Sequence, residues 1–340
     1  MQSTAKAHPV PGLPLVRPAP TSMIVPRRQR ALLDQPTEPE VLHALPQALA
    51  NAHLVCPSCR EPLHVSEAHW SCRGCARLYP AKDGLPELMV KSPEIAPELI
   101  GEPGVTADQL AAQVAGARRA MERGRVPYSE HLAKWLPEAG TIAEVACGTA
   151  PIAGYFRTRS RKFLALDLDV PMLRQVKHAY DDVAVAACDA FSLPLADRSI
   201  DMYVGLGIFE LDGARGFRGM REAARVLKPG GRLYVSVAYK NVLRRGGRPA
   251  RWRGHDIFPF AQDEMGRLMA FHGFEVDELR PCSLAHGLGP FRRAASLFPA
   301  LLAGERENSL SYRLFGPLLR PFANSLVCVA TKSRAVDPEP

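Results

Sequence analysis

The sequence predicts an α/β chain: a doubly wound sheet preceded by a small head built on cysteines. Three observations carry this. From Thr141 onward, short apolar runs alternate with helical stretches, the pattern of a parallel sheet covered on both faces. Glycine or acidic residues stand at the carboxyl ends of the first three runs, where open sheets of this kind hold ligands. Four of the eight cysteines crowd between Cys56 and Cys75 in two C-x-x-C pairs.

The chain has 340 residues, enough for one large domain or two ordinary ones with a core that needs no staples. No run reaches the roughly 18–20 apolar residues of a membrane-spanning helix, and the N-terminus lacks the apolar core of a signal peptide. A soluble, cytoplasmic protein is expected. Lys and Arg number 43 against 35 acidic residues, and the net charge of +8 favours anionic partners such as nucleic acid, acidic membranes or phosphorylated substrates. Residues 1–45 are rich in proline and arginine, with no acid before Asp34. They read as a disordered arm, since proline removes amide donors and blocks helix. Such a composition also suits a transit peptide, but the prolines oppose the amphipathic helix that one needs.

Residues 50–92 form the head. Its spacing is Cys56-x2-Cys59, twelve residues, then Cys72-x2-Cys75. Each C-x-x-C turn sets two thiolates on one side of a tight loop, and two such turns make a closed tetrahedral site for structural Zn2+. Disulfides need an oxidising compartment, and a redox pair needs one C-x-x-C beside a βαβ unit. The other cysteines, Cys147, Cys188, Cys282 and Cys328, lie in apolar runs and read as core. With Tyr79-Pro80, Asp83-Gly84 and Pro86, the segment resembles the zinc-ribbon head of a group of bacterial methyltransferases. It is also similar to the small zinc-ribbon subunit that activates tRNA and release-factor methyltransferases. Metal binding in so short a head is folding free energy.

Residues 93–140 read as a helical linker, and 141–333 as the main domain, with an insertion at 284–323 and a tail at 334–340. Strands are expected at 141–147, 162–168, 182–189, 199–207 and 231–238, with closing strands at 274–279 and 325–331. After the first, Gly148 lets the backbone turn sharply and approach a ligand closely. The second ends in Asp167, about twenty residues from Gly148, the separation of an acid that accepts from ribose hydroxyls. The third is followed by Asp189, placed to accept from the exocyclic amine of adenine.

Four stretches together resemble class I S-adenosylmethionine-dependent methyltransferases of the type 11 group: E-V-A-C-G-T-A, L-A-L-D-L-D-V-P-M-L, C-D-A-F-S-L-P-L-A-D-R-S-I-D and R-E-A-A-R-V-L-K-P-G-G-R-L. The resemblance implies a Rossmann-like sheet and S-adenosyl-L-methionine as cofactor. It places Glu144 and Gly148 near the methionine part, Asp167 on the ribose, and Asp189 and Ala190 at the adenine. Ala146, Leu168 and Gly205 complete the implied binding set. The family's flanking glycines are Ala146 and Ala150 here. A nicotinamide dehydrogenase would instead want G-x-G-x-x-G to receive a pyrophosphate, and that set is missing.

Glu210, Asp212 and His255, with Asp256, are the polar candidates near a reacting methyl. Arg244, Arg245, Arg248, Arg251 and Arg253 flank Trp252 in a segment that suits an acceptor bearing phosphate or carboxylate, with the aromatic stacking on a base. Residues 290–323 have the apolar spacing of short amphipathic helices, fit for packing, a lid or peripheral membrane contact. Residues 117–128 resemble the linker of 23S rRNA guanine-N1 methyltransferases, which share this architecture. A small-molecule or lipid-like acceptor is expected; rRNA methylation and a non-catalytic zinc-ribbon binding module are the alternatives.

Overall fold

The apolar runs become strands in the order expected. The computed structural model describes residues 54–66, 69–90, 104–122, 129–212, 214, 216–240, 250–252, 255–282 and 323–334. The predicted arm at 1–45, the insertion at 284–323 except Ala323, and the arginines at 244, 245, 248 and 253 lie outside them.

The head comprises β1 (Leu63–Val65), β2 (His69–Cys72), β3 (Leu78–Lys82) and β4 (Leu85–Leu88), paired in succession and antiparallel. Within the predicted linker stand α1 (Ala107–Glu122) and α2 (Ser129–Ala133). The main domain runs β5 (Gly140–Val145), α3 (Pro151–Phe156), β6 (Arg161–Asp167), α4 (Val170–Ala179), β7 (Ala184–Cys188), β8 (Ile200–Leu206), α5 (Phe217–Val226) and β9 (Leu227–Ala238). A hairpin of β10 (Ala250–Trp252) and β11 (His255–Ile257) follows, then α6 (Gln262–Phe271), β12 (Phe274–Cys282) and β13 (Ser325–Lys332).

One sheet holds eleven of these strands, ordered β1-β2-β3-β4-β7-β6-β5-β8-β9-β13-β12. Strands β7, β6, β5, β8 and β9 are parallel, while β13 runs antiparallel to β9 and β12. The chain leaves β5 for β6 and β7 on one side and for β8 and β9 on the other, so the switch point lies over the end of β5. All five residues of β7 are buried, as a strand covered on both faces requires.

Each face has its own core. Leu110, Leu132, Ile152, Leu173, Phe163 and Tyr234 fill one, beneath the helices α1–α4. On the other, Tyr203, Met220, Met265 and Leu166 pack beneath α5 and α6, and Trp70 and Tyr79 of the head join the same cluster. The head therefore continues the sheet and shares its core. The junction is β4 beside β7, parallel, with Glu87 opposite Ala187 and Leu88 opposite Cys188.

Candidate functional site

The bend after β5 takes the left-handed backbone at three alternate positions: Ala146 (φ 53°), Gly148 (φ 51°) and Ala150 (φ 47°). An alanine there costs about 1–2 kcal/mol, so the bend must be held by its surroundings. Glu144, fully buried, accepts from the amides of Ile152 (3.3 Å) and Ala153 (2.7 Å), fixing the start of α3 to the end of β5. Burial pushes its carboxyl up to about 8, against those two donors. A side chain at Gly148 would meet no atom within 4 Å, so open space stands above the bend.

Asp167 closes the same corner. One oxygen accepts from Gly148 N (2.7 Å) and the other from Asp169 N (3.0 Å). Burial raises its carboxyl from the ordinary range. Each oxygen keeps a second lone pair for a hydroxyl donor. Leu168 beside it is half-buried. After β7, Asp189 accepts from Phe191 N (2.9 Å), and Ala190 is buried. Gly205 has a packing reason: a Cβ there would lie 2.9 Å from the Tyr203 ring. The acids and the open bend fit a nucleoside whose hydroxyls and amine donate hydrogen bonds.

Past β8, Glu210 sits in a short 3-10 turn, Phe209–Leu211, and is buried. Its Oε1 accepts from Ala238 N (3.2 Å), while Oε2 is buried with no hydrogen-bond partner among the described residues. Burial pushes this carboxyl up to about 7. Asp212 is also buried, but its oxygens accept from Ala214 N, Arg218 N and Arg218 Nε at 2.9–3.0 Å and so fasten the start of α5. The hairpin sets Trp252 opposite His255 and Arg251 opposite Asp256. The side chains of Arg251, Trp252 and His255 lie outside what is described. Phe258 N donates to the Glu210 carbonyl and Phe260 N to that of Ala238, both at 2.8 Å, stitching the hairpin's return to the rim. Beside this stitch a cleft of about 310 Å³ is lined by Phe258, Phe260, Leu268 and Phe271 together with the charged Glu264 and Arg267.

In the head, the four thiols of Cys56, Cys59, Cys72 and Cys75 lie within 4.8 Å of one another. Cys56 stands 3.6 Å from Cys75, and Cys59 3.4 Å from Cys72. A tetrahedron with metal–sulfur bonds of about 2.3 Å has sulfurs about 3.8 Å apart, so the donor set fits Zn2+. Burial opposes ionisation of Cys56, but hydrogen bonds from Tyr79 and the amides of Cys59 and Ser58 outweigh it and hold the thiol below its usual range. Tyr79 Oη is 3.0 Å from that sulfur.

Two residues of this region had no role in the sequence reading. Glu222, on the buried side of α5, accepts from Leu193 N (2.8 Å), Arg60 Nη2 (2.9 Å) and Arg225 Nη2 (2.8 Å). The available signal was a carboxylate amid the apolar positions of a helix, beside Met220, Ala223 and Val226. Nothing in the residue types pairs it with Arg60, 162 positions away.

Residues 143–235 match the family model described as a methyltransferase domain. The chain is 32% identical over 156 residues to the probable S-adenosylmethionine-dependent methyltransferase MT3114 of Mycobacterium tuberculosis, covering 44% of this chain and 53% of that protein. It is 34% identical over 119 residues to the ubiquinone/menaquinone biosynthesis C-methyltransferase UbiE of Ruegeria sp., covering 32% of this chain and 47% of that one. A third match, 34% over 96 residues, is the 25S rRNA (adenine(645)-N(1))-methyltransferase of Schizosaccharomyces pombe, covering 28% of this chain and 26% of that protein. The chain thus spans about half the length, or less, of these relatives.

Proposed function

We propose that the chain transfers a methyl group from S-adenosyl-L-methionine to a small-molecule or lipid-like acceptor. The observation that carries this is the corner where Gly148 and Asp167 are tied together beneath open space, with Glu144 behind them. When bound, S-adenosylmethionine supplies an electrophilic methyl on a sulfonium. The chain's task is then to align the acceptor in a water-poor pocket. Asp167 orients the ribose end, and Asp189 and Ala190 receive the adenine. Glu210 has one spare buried oxygen at the end of β8. It takes the proton that a carbon or oxygen acceptor gives up as the methyl arrives. The apolar part of the cleft at Phe258, Phe260, Leu268 and Phe271 supports an apolar acceptor, as does the similarity to a ubiquinone/menaquinone biosynthesis C-methyltransferase. The amphipathic spacing at 290–323 gives such an acceptor a route from a membrane surface. No described helix is long and apolar enough to cross a membrane.

The test is transfer of labelled methyl into cell extract, fractionated into RNA, lipid and small metabolites. Label in lipid or metabolites supports the proposal. Label in RNA supports a second reading, rRNA base methylation, which the net charge of +8 and the hairpin bearing Arg251 and Trp252 favour. Under that reading, replacing Arg248, Arg251 and Arg253 weakens RNA binding and flattens its salt dependence. A chain that binds no cofactor and labels nothing is the non-catalytic module.

A further inference from the structure

The loop after Asp189 is held from within its domain by Arg225, which donates to the Leu193 and Leu195 carbonyls and to Glu222, and from outside it by the head. Ser192 Oγ donates to the carbonyl of Pro57 (2.8 Å), Val55 N donates to that of Pro194 (3.1 Å), and Leu54 bridges Leu195. Among the ties from the head, Arg60 makes the most bonds. Its Nη1 donates to the Leu193 carbonyl (2.8 Å) and its Nη2 to Glu222 (2.9 Å), whose other oxygen accepts from Leu193 N (2.8 Å). One guanidinium thus grips the loop carbonyl directly and the loop amide through Glu222.

Arg60 is also part of the first cysteine turn. It follows Cys59, sits at φ 69°, and donates its amide to the Cys56 carbonyl (2.8 Å). The direction of its side chain is therefore set by the turn that presents Cys56 and Cys59. A metal gripped by those thiols stiffens the turn, and the stiffness reaches the loop through Arg60.

We propose that Arg60 is a positioning residue for the cofactor: it fixes the 189–195 loop against the cysteine head, so that metal occupancy and cofactor affinity are coupled. This rests on the reading that Asp189 and Ala190 receive the adenine of S-adenosylmethionine. Coupling between two sites is reciprocal, so each ligand should tighten the other.

The experiment uses the full chain loaded with zinc, S-adenosylhomocysteine as probe, and titration calorimetry. Arg60→Met should raise Kd about tenfold, Ser192→Ala should raise it less, and Lys177→Met should leave it unchanged. Lys177 ties the head through the Asp83 carbonyl and has no bond to the loop, so it controls for general loosening. In the wild type, S-adenosylhomocysteine should slow release of zinc to a chromogenic chelator; in Arg60→Met that protection should vanish. An Arg60→Met Kd within about twofold of wild type, equal weakening by Lys177→Met, or zinc release blind to the probe would each overturn the inference. Should Arg60→Met fail to fold, Ser192→Ala and zinc release from the wild type carry the test. A wild type that binds no probe overturns the cofactor reading itself; normal binding with an indifferent Arg60→Met overturns this inference alone.

Discussion

Gly148 N donates to Asp167 Oδ2 across 2.7 Å, making the bend after β5 and the end of β6 one hydrogen-bonded unit. Two substitutions probe it. Gly148→Ala adds a methyl where φ is 51° and where the space above is open. It should cost about 1–2 kcal/mol of stability and fill part of that open space, which the proposal gives to the cofactor. Asp167→Ala removes the proposed ribose acceptor and strands the Gly148 amide. Calorimetry with S-adenosylmethionine should show binding weakened at least tenfold, on the order of 1.4 kcal/mol, in both. Wild-type affinity in either would contradict the assignment of this corner.

The two alanines of the bend should answer differently to glycine. Ala146 is half-buried, so Ala146→Gly relieves about 1–2 kcal/mol of left-handed strain while loosening the unfolded chain by about 0.4–1 kcal/mol. The net is neutral to stabilising. Ala150 is fully buried, and Ala150→Gly also loses a packed methyl, a further loss of about 1 kcal/mol. Thermal melts of both variants check the order; a clearly destabilised Ala146→Gly would mean the bend carries no strain.

Metal analysis should find one zinc per chain, lost in the double variant Cys56→Ser/Cys72→Ser. Structural zinc contributes about 10–16 kcal/mol of apparent binding free energy in small domains, so chelation should unfold the head and lower the melting temperature. Folded wild-type protein free of metal would remove the zinc assignment.

Glu210 and Glu144 sit, by burial, at about 7 and about 8, above the ordinary 4.5 of a glutamic acid. A raised acid favours its neutral form in the fold. The resulting stability is complete below about pH 4.5 and is lost as pH rises through 7 to 8. Glu210→Gln stays neutral throughout and loses only its own share of that dependence. Between pH 5 and pH 8 the wild type should therefore lose more stability than the variant, by up to about 3 kcal/mol, in denaturant titrations at both pH values. If Glu210 accepts the acceptor's proton, the rise of kcat/KM through pH 7 should disappear in Glu210→Gln. Parallel stability curves would place the carboxyl in water.

Much of this was legible beforehand. All seven strands expected in the main domain form, and the five parallel ones announce themselves by composition because buried parallel strands are apolar on both sides. The acids at 167 and 189 were marked by following the ends of those strands. Asp212 was ambiguous for a physical reason: a carboxylate that caps a helix and one that meets a substrate look alike in a sequence, and here its oxygens are occupied by α5. The docking of the head was hidden altogether. Strand β4 meets β7 through backbone amides and carbonyls, which bear no mark of residue type, and Arg60 finds Glu222 only once the chain has folded. The hairpin at 250–257 was read only as an arginine-rich segment, because three-residue strands leave no period to detect.

That backbone seam has a practical consequence for anyone trimming the protein. Strand β7 is the natural border of the main domain's sheet, and β4 is what occupies its outer row of amides and carbonyls. Cutting away the first ninety or so residues to obtain a minimal enzyme leaves an apolar, unpaired border, a template for self-association. The cysteine-built segment is the selvage of the fabric, and a version without it should unravel into aggregates before its chemistry can be measured.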